Sequence, residues 1–149
     1  MCARWIQLAT FYPFARQHRD DTGGGGENGP YVMDEPFKSM ARSALHQRLQ
    51  YTRQLYSCLY EASRDGGTCF DPLMFHFPME DQTFSETEHS FIFANALKIT
   101  PVLDAETSDG DSVRSYFPEG TWVNMNNYSE IIVSEGGELG WMNLTVDKS

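Results

Sequence analysis

The chain has 149 residues, 40% of them hydrophobic, which is enough for one core. Its net charge of −10, from 11 basic and 21 acidic side chains, opposes a phosphate backbone, and no basic cluster interrupts it, which argues against a nucleic-acid partner. No run approaches the roughly 18 apolar residues of a membrane span, and the first residues show neither the basic region nor the apolar core of a signal peptide.

Cys2, Trp5, Leu8 and Ala9 recur at three- and four-residue steps, which predicts a short helix. Pro13 then predicts an extended segment through Phe11-Tyr12-Pro13-Phe14, ending in the polar tip that carries Arg16, Gln17 and His18. Helix, strand and polar tip in that order suit β/α architecture. Residues 20–30 form a loop by composition. Gly24, Gly26 and Gly29 formally satisfy G-x-G-x-x-G, but Pro30 removes a donor and the flanking acids would repel a phosphate. No dinucleotide or other cofactor is expected.

Asp34 is expected to cap a long helix with Glu35 and Pro36 in its first turn. Its apolar face runs Phe37, Met40, Ala41, Ala44, Leu45, Leu49, Leu55, Tyr56, Leu59 and Tyr60, and Gly66-Gly67 closes it. Residues 68–77 are aromatic-rich and predict a buried barrel-type strand. Ser85, Glu86 and Glu88 give a helix start leading through residues 89–97 to an extended run at 99–103, and the acidic turn at 104–112 reads as a boundary. Residues 113–117, 121–125, 131–133 and 139–146 are short strand-like runs, as in a β-sandwich.

Cys2, Cys58 and Cys69 are odd in number and lack metal-ligand spacing, so no metal site is expected and they read as three buried thiols. Asn127-Tyr128-Ser129 and Asn143-Leu144-Thr145 are sequons, which makes Asn127 and Asn143 candidate glycan acceptors in a secretory lumen, lysosome-like compartment or extracellular space. His46, His76 and His89 read as structural or surface residues.

Several of these stretches together resemble the family 31 glycoside hydrolases, the α-glucosidase family. They are Cys2-Ala3-Arg4-Trp5-Ile6-Gln7-Leu8, Phe11-Tyr12-Pro13-Phe14-Ala15-Arg16-Gln17-His18, Asp71-Pro72-Leu73, Phe77-Pro78, Thr100-Pro101-Val102-Leu103 and Phe117-Pro118-Glu119-Gly120-Thr121-Trp122. The resemblance covers residues 1 to about 125 in order and spacing. It implies an α/β fold, with the last units of a (β/α)8 TIM barrel over residues 1–97 and the start of a C-terminal β-sandwich over 98–149, since a whole barrel takes about 250 residues. It also implies retaining hydrolysis of α-linked glucosides or oligosaccharides by two aspartates in W-x-D-M-N-E-like and G-D-N-like stretches. Both lie upstream of the segment equivalent to Cys2. The chain is therefore read as a C-terminal fragment, inactive alone, whose partner is the remainder of the barrel. The alternative is a truncated pseudoenzyme or a sugar-binding or packing module.

By the same resemblance His18 corresponds to the histidine that bonds sugar hydroxyls in the −1 subsite, and Arg16 to a supporting charge that orients an acidic neighbour. Gln17 and Arg19 stand where the family has asparagines, Asp71 where it has arginine, Arg53 near a family proline, and Asn95 where relatives place glycine, so a positive φ is expected at Asn95. In secreted relatives the cysteine equivalent to Cys2 can pair with one in a preceding D-[IV]-C-G-F segment, which this chain lacks, so the resemblance implies that Cys2 is half of such a bridge. Trp122-Val123-Asn124-Met125-Asn126-Asn127 imitates the nucleophile motif, but an amide cannot form the glycosyl ester. With two of eight barrel strands, Phe11, Tyr12, Phe14, Leu73, Phe75 and Phe77 are expected to leave apolar surface uncovered.

Overall fold

The computed structural model describes residues 2–18, 29–85, 89–103 and 112–146. Helix α1, Cys2–Ala9, forms where the apolar spacing places it, and Leu8 is buried. The strand expected around Pro13 does not form: residues 12–18 run without ladder pairing. Pro13 has no N–H to give, and the carbonyls of Ala9, Thr10, Tyr12 and Pro13 are occupied by Arg48 of the next helix.

Helix α2, Phe37–Asp65, is 29 residues long. Glu35, rather than Asp34, serves its N-terminus, accepting hydrogen bonds from Ser39 N–H at 3.1 Å and Ser39 Oγ–H at 2.8 Å. Those two bonds hold the Glu35 carboxyl below its ordinary pKa. Gly66, at φ 85°, donates its N–H to Ala62 O and ends the helix as expected. The apolar periodicity is present but unequally used. Ala41, Ala44 and Cys58 are buried, whereas Leu49 is 70% and Tyr56 75% exposed, and Leu45 and Leu59 face solvent with them.

Two expectations fail between α2 and the β-rich end. Residues 68–77 give only the three-residue strand β1, Phe70–Pro72, and one turn of helix, α3, Leu73–His76. The helix expected over 89–97 is instead a hairpin of β2, Phe91–Phe93, and β3, Leu97–Ile99, and β1-β2-β3 form one antiparallel sheet. The turn decides this. Ala94 at φ 48° and Asn95 at φ 57° both occupy the left-handed region, as a tight hairpin requires, and the expected conformation of Asn95 is present. The boundary expected between 97 and 98 falls inside β3.

Strand β2 buries both faces. Phe93 packs with Cys58, Cys69, Phe11, Tyr51, Leu55 and Phe70, while Ile92 packs with Leu73, Tyr116, Trp122 and Trp141. The helical and β-rich parts thus share one strand. Beyond it, β4, Ser112–Tyr116, pairs with β7, Trp141–Thr145, and β5, Gly120–Val123, pairs with β6, Ile131–Ser134, both antiparallel and close to the expected positions. Buried Tyr116 donates its hydroxyl to the Glu80 carboxylate, which also accepts Glu119 N–H at 2.9 Å. Burial and that carboxylate push the phenol well above its ordinary pKa.

The expected apolar surface is redistributed. Leu73 is fully enclosed and Phe11, Tyr12 and Phe77 are half-buried, leaving Phe14 and Phe75 exposed, as are the apolar residues of the α2 stripe.

Cys58 and Cys69 are not thiols but a disulfide, with Cα atoms 6.0 Å apart. The reversal at Gly66-Gly67 turns the chain back along α2 and brings β1 within bridging reach of Cys58. The bridge closes a loop of sequence separation 11. We predict that the double variant C58S/C69S loses about 3 kcal/mol of stability in denaturant unfolding, the loop-closure contribution for such a ring. Alkylation of the denatured, unreduced chain should spare both cysteines, and modification of either would contradict the bridge.

Candidate functional site

The segment that carries the sequence-predicted site is held by one side chain that sequence reading missed. Arg48, on α2, donates from Nη1 to Ala9 O at 2.8 Å, Thr10 O at 3.1 Å and Tyr12 O at 2.6 Å, and from Nη2 to Pro13 O at 3.2 Å. Nη1 has two hydrogens, so the three carbonyls share them. Carbonyls at a helix end lack intrahelical partners, and a guanidinium is all donor, so the two inventories match. Beside this clamp Thr10 donates its hydroxyl to Ala44 O at 3.1 Å, both groups being buried. Phe11 packs on Tyr51 and Phe93, with ring centroids 5.6 Å away in each case, and Tyr12 on Phe70 and Phe91.

From that anchorage the backbone leaves the core, and Arg16, Gln17 and His18 stand in solvent. Arg16 Nη2 donates to His18 Nδ1 at 3.0 Å. Arginine has no acceptor, so this ring nitrogen is the unprotonated one and Nε2 carries the hydrogen. The two residues singled out from the sequence are therefore in contact, and the partner Arg16 meets here is His18, not the acidic neighbour expected of it. Arg19 and most of the glycine-rich loop lie outside the described residues.

Asp71 is buried and is compensated locally. Its carboxylate accepts from Thr68 Oγ1 and lies 2.9 Å from His76 Nε2. His76, five residues on, supplies a hydrogen-bond partner to the carboxylate that stands where the family has arginine. This pair lines a shallow cleft of about 370 Å³ with Glu61, Asp65, Thr68 and Asn95. None of residues 12–18 lines that cleft, which lies some ten residues, roughly 15 Å of helix, beyond Arg48 along α2. Among the described residues no group of three or more His, Cys, Asp or Glu side chains could hold a metal ion, and no helix is long and apolar enough to cross a membrane.

The two sequon asparagines lie apart from His18 in sequence and on different elements. Asn127 lies in the exposed turn between β5 and β6, and Asn143 stands exposed on β7, paired in register with Arg114. The imitation of the nucleophile motif at Trp122 to Asn127 is this hairpin: Trp122 donates its indole N–H to Pro118 O, and Asn124 donates Nδ2–H to Glu130 at 2.7 Å.

Comparison with known proteins gives this geometry its family. Residues 66–148 match the Glycosyl hydrolase family 31 C-terminal domain, and residues 1–58 match the Glycosyl hydrolases family 31 TIM-barrel domain. The chain belongs to glycosyl hydrolase family 31, and comprises the end of the TIM-barrel region followed by the β-rich C-terminal domain. It is 36% identical over 129 residues to the lysosomal alpha-glucosidase of Mus musculus, which covers 87% of this chain and 13% of that protein. To alpha-xylosidase 1 of Arabidopsis thaliana it is 32% identical over 138 residues, 93% of this chain and 14% of the relative. The glucosidase II alpha subunit superposes with a TM-score of 0.84 at 25% identity, covering 97% of this chain and 15% of that one. The chain thus spans only a small part of the length of these relatives.

One half-buried lysine has no acidic partner in its hydrogen bonds. Lys98 Nζ donates to Ser115 Oγ at 2.5 Å and Thr100 Oγ1 at 2.7 Å and sits 4.3 Å from the centroid of the Phe117 ring. Burial lowers its pKa to about 7. The unfolded value is about 10.4, so between these two the unfolded chain binds more protons and stability rises with pH; below about 7 the full cost of burying the charge is present. We predict that Lys98→Met gains stability on the order of a few kcal/mol at pH 6 and removes most of the rise in urea midpoint between pH 7 and pH 10. Parallel pH profiles for the two proteins would contradict this.

Proposed function

We propose that this chain is the sugar-contacting and C-terminal portion of a retaining α-glucosidase-like glycoside hydrolase acting on α-linked glucosides or oligosaccharides, with His18 as a substrate-binding residue and Arg16 as its positioning partner. The observation that carries the reading is the Arg48 clamp, which presents the Arg16–His18 pair to solvent from an otherwise packed segment. A histidine whose tautomer is fixed can offer a defined Nε2–H to a sugar hydroxyl. The remaining barrel is the partner that the reading requires. It is supported by the exposed Leu45, Leu49, Tyr56 and Leu59 stripe.

Retaining hydrolysis needs two carboxyl groups about 5 Å apart, facing across a cleft that admits the sugar. Several carboxylates here are committed to the fold, among them Asp71 to Thr68 and His76, Glu80 to Tyr116 and Glu119, and Glu130 to Asn124 and Asn127. In the proposed reading the nucleophile and acid/base come from upstream barrel strands, and the chain by itself hydrolyses nothing.

Purified chain is expected to leave an aryl α-glucoside intact. Turnover that disappears on substituting one of its own acidic residues would overturn the reading. In an assembled barrel containing this segment, His18→Ala should reduce kcat/KM by roughly 10- to 150-fold, the loss of about 1.5 to 3 kcal/mol of hydrogen bonding. Unchanged kinetics with a lowered melting temperature would make His18 a structural residue instead.

A further inference from the structure

We propose that Asn127 is an N-glycan acceptor and that Asn143, despite its sequon, is not. The sequence pattern alone treats the two equally. Their local structures do not.

Asn127 occupies the tip of the β5–β6 hairpin, where residues 124–130 are all exposed and Tyr128 is 69% exposed. Its Oδ1 accepts the N–H of Ser129, two residues on, at 3.3 Å, so the carboxamide and the hydroxyl-bearing residue of the sequon are folded toward each other. Its Nδ2 donates one hydrogen to Glu130 Oε1 at 2.9 Å, in a turn closed by Asn127 N–H to Asn124 O at 3.1 Å and Glu130 N–H to Asn127 O at 2.9 Å. Every one of these bonds spans six residues or fewer. The turn can therefore form in a growing chain before any distant partner exists, and its outward position accommodates a large substituent after folding.

Asn143 lies in the middle of β7, in register with Arg114, 143 − 114 = 29 residues earlier. Extended backbone carries its Oδ1 away from the N–H of Thr145, so the folded-back arrangement of the first sequon is absent, and its conformation depends on β4 being in place.

The second, independent observation is the Cys58–Cys69 bridge. Disulfides persist in oxidising compartments, which include the lumen where oligosaccharides are transferred to asparagine. The co-reactant is an oligosaccharide on a lipid pyrophosphate. Asn127 Nδ2 forms a bond to the anomeric carbon of the first sugar, the bond from that carbon to the pyrophosphate oxygen breaks, the lipid pyrophosphate leaves with the electron pair, and one Nδ2 proton passes to a base of the transferase.

The test carries the full chain into microsomes behind a cleavable leader, so that leader removal marks the molecules that reached the lumen. On those molecules we expect one endoglycosidase-sensitive glycan, located by peptide mapping on Asn127. Asn127→Gln and Ser129→Ala should each abolish it, Ser129→Thr should retain it, and Asn143→Gln should leave it unchanged. The Ser129 pair keeps the asparagine itself and separates loss of the acceptor motif from misfolding. No glycan on leader-cleaved chain, or occupancy of Asn143 equal to that of Asn127, overturns the proposal.

Discussion

A single guanidinium fixes the segment that leads to the proposed site. The end of α1 leaves carbonyls without intrahelical partners, and the following Tyr12-Pro13 pair can neither continue the helix nor join a ladder. Arg48 takes up the last carbonyl of the helix, Ala9 O, together with those of Thr10, Tyr12 and Pro13 beyond it. Hydrogen bonds from a charged donor contribute about 1.5 to 3 kcal/mol each when well formed, although the shared Nη1 hydrogens make the sum smaller than four such terms. With the clamp in place, Phe11 and Tyr12 are delivered to the aromatic cluster of Phe70, Phe91 and Phe93, and the backbone after Pro13 has one direction in which to leave.

The same cluster explains how a short, three-stranded sheet can join two different kinds of structure. Because β2 alternates, Phe93 faces the helices and Ile92 faces the β-rich end, so neither side packs independently of the other. Polar groups follow the apolar ones across that joint. Glu80 is bonded to Tyr116 and Glu119, and Ser134 donates its hydroxyl to Phe117 O at 2.6 Å, so the loop after β4 is fixed from two sides. The disulfide then secures the C-terminal end of α2 to β1.

What the sequence disclosed and what it hid divide along the range of the forces. Features set within a few residues were legible: the stop at Gly66, the positive φ of Asn95, and the strand runs near 113–117 and 131–133. Features set by distant partners were not. Residues 89–97 carry Phe91, Ile92 and Phe93 in succession, a run that cannot distinguish a helix from a strand buried on both faces; the left-handed pair at Ala94 and Asn95 decided it. Cys58 and Cys69 looked like isolated thiols because their meeting depends on the chain doubling back at Gly66-Gly67. Family pattern pointed to His18 and Arg16 as candidates, but Arg48 sits on the polar side of a helical repeat, where nothing in the spacing marks it as a ligand of carbonyls 35 to 39 residues away. Likewise the contact between Asp71 and His76 was hidden because His76 is offered by one turn of helix that the strand expectation excluded.

Arg48 holds residues 9–13, the base from which the Arg16–His18 pair projects. Amide hydrogen exchange tests it most directly, since Thr10, Phe11 and Tyr12 donate their N–H groups to Ile6, Leu8 and Ala9 carbonyls in the turn beneath the clamp. In Arg48→Ala, protection at these three amides should fall roughly 10-fold or more, corresponding to about 1.5 kcal/mol or more of lost hydrogen bonding, while the amides of α2 around Cys58 keep theirs. Undiminished protection at Thr10, Phe11 and Tyr12 in a variant whose α2 remains folded would contradict the account.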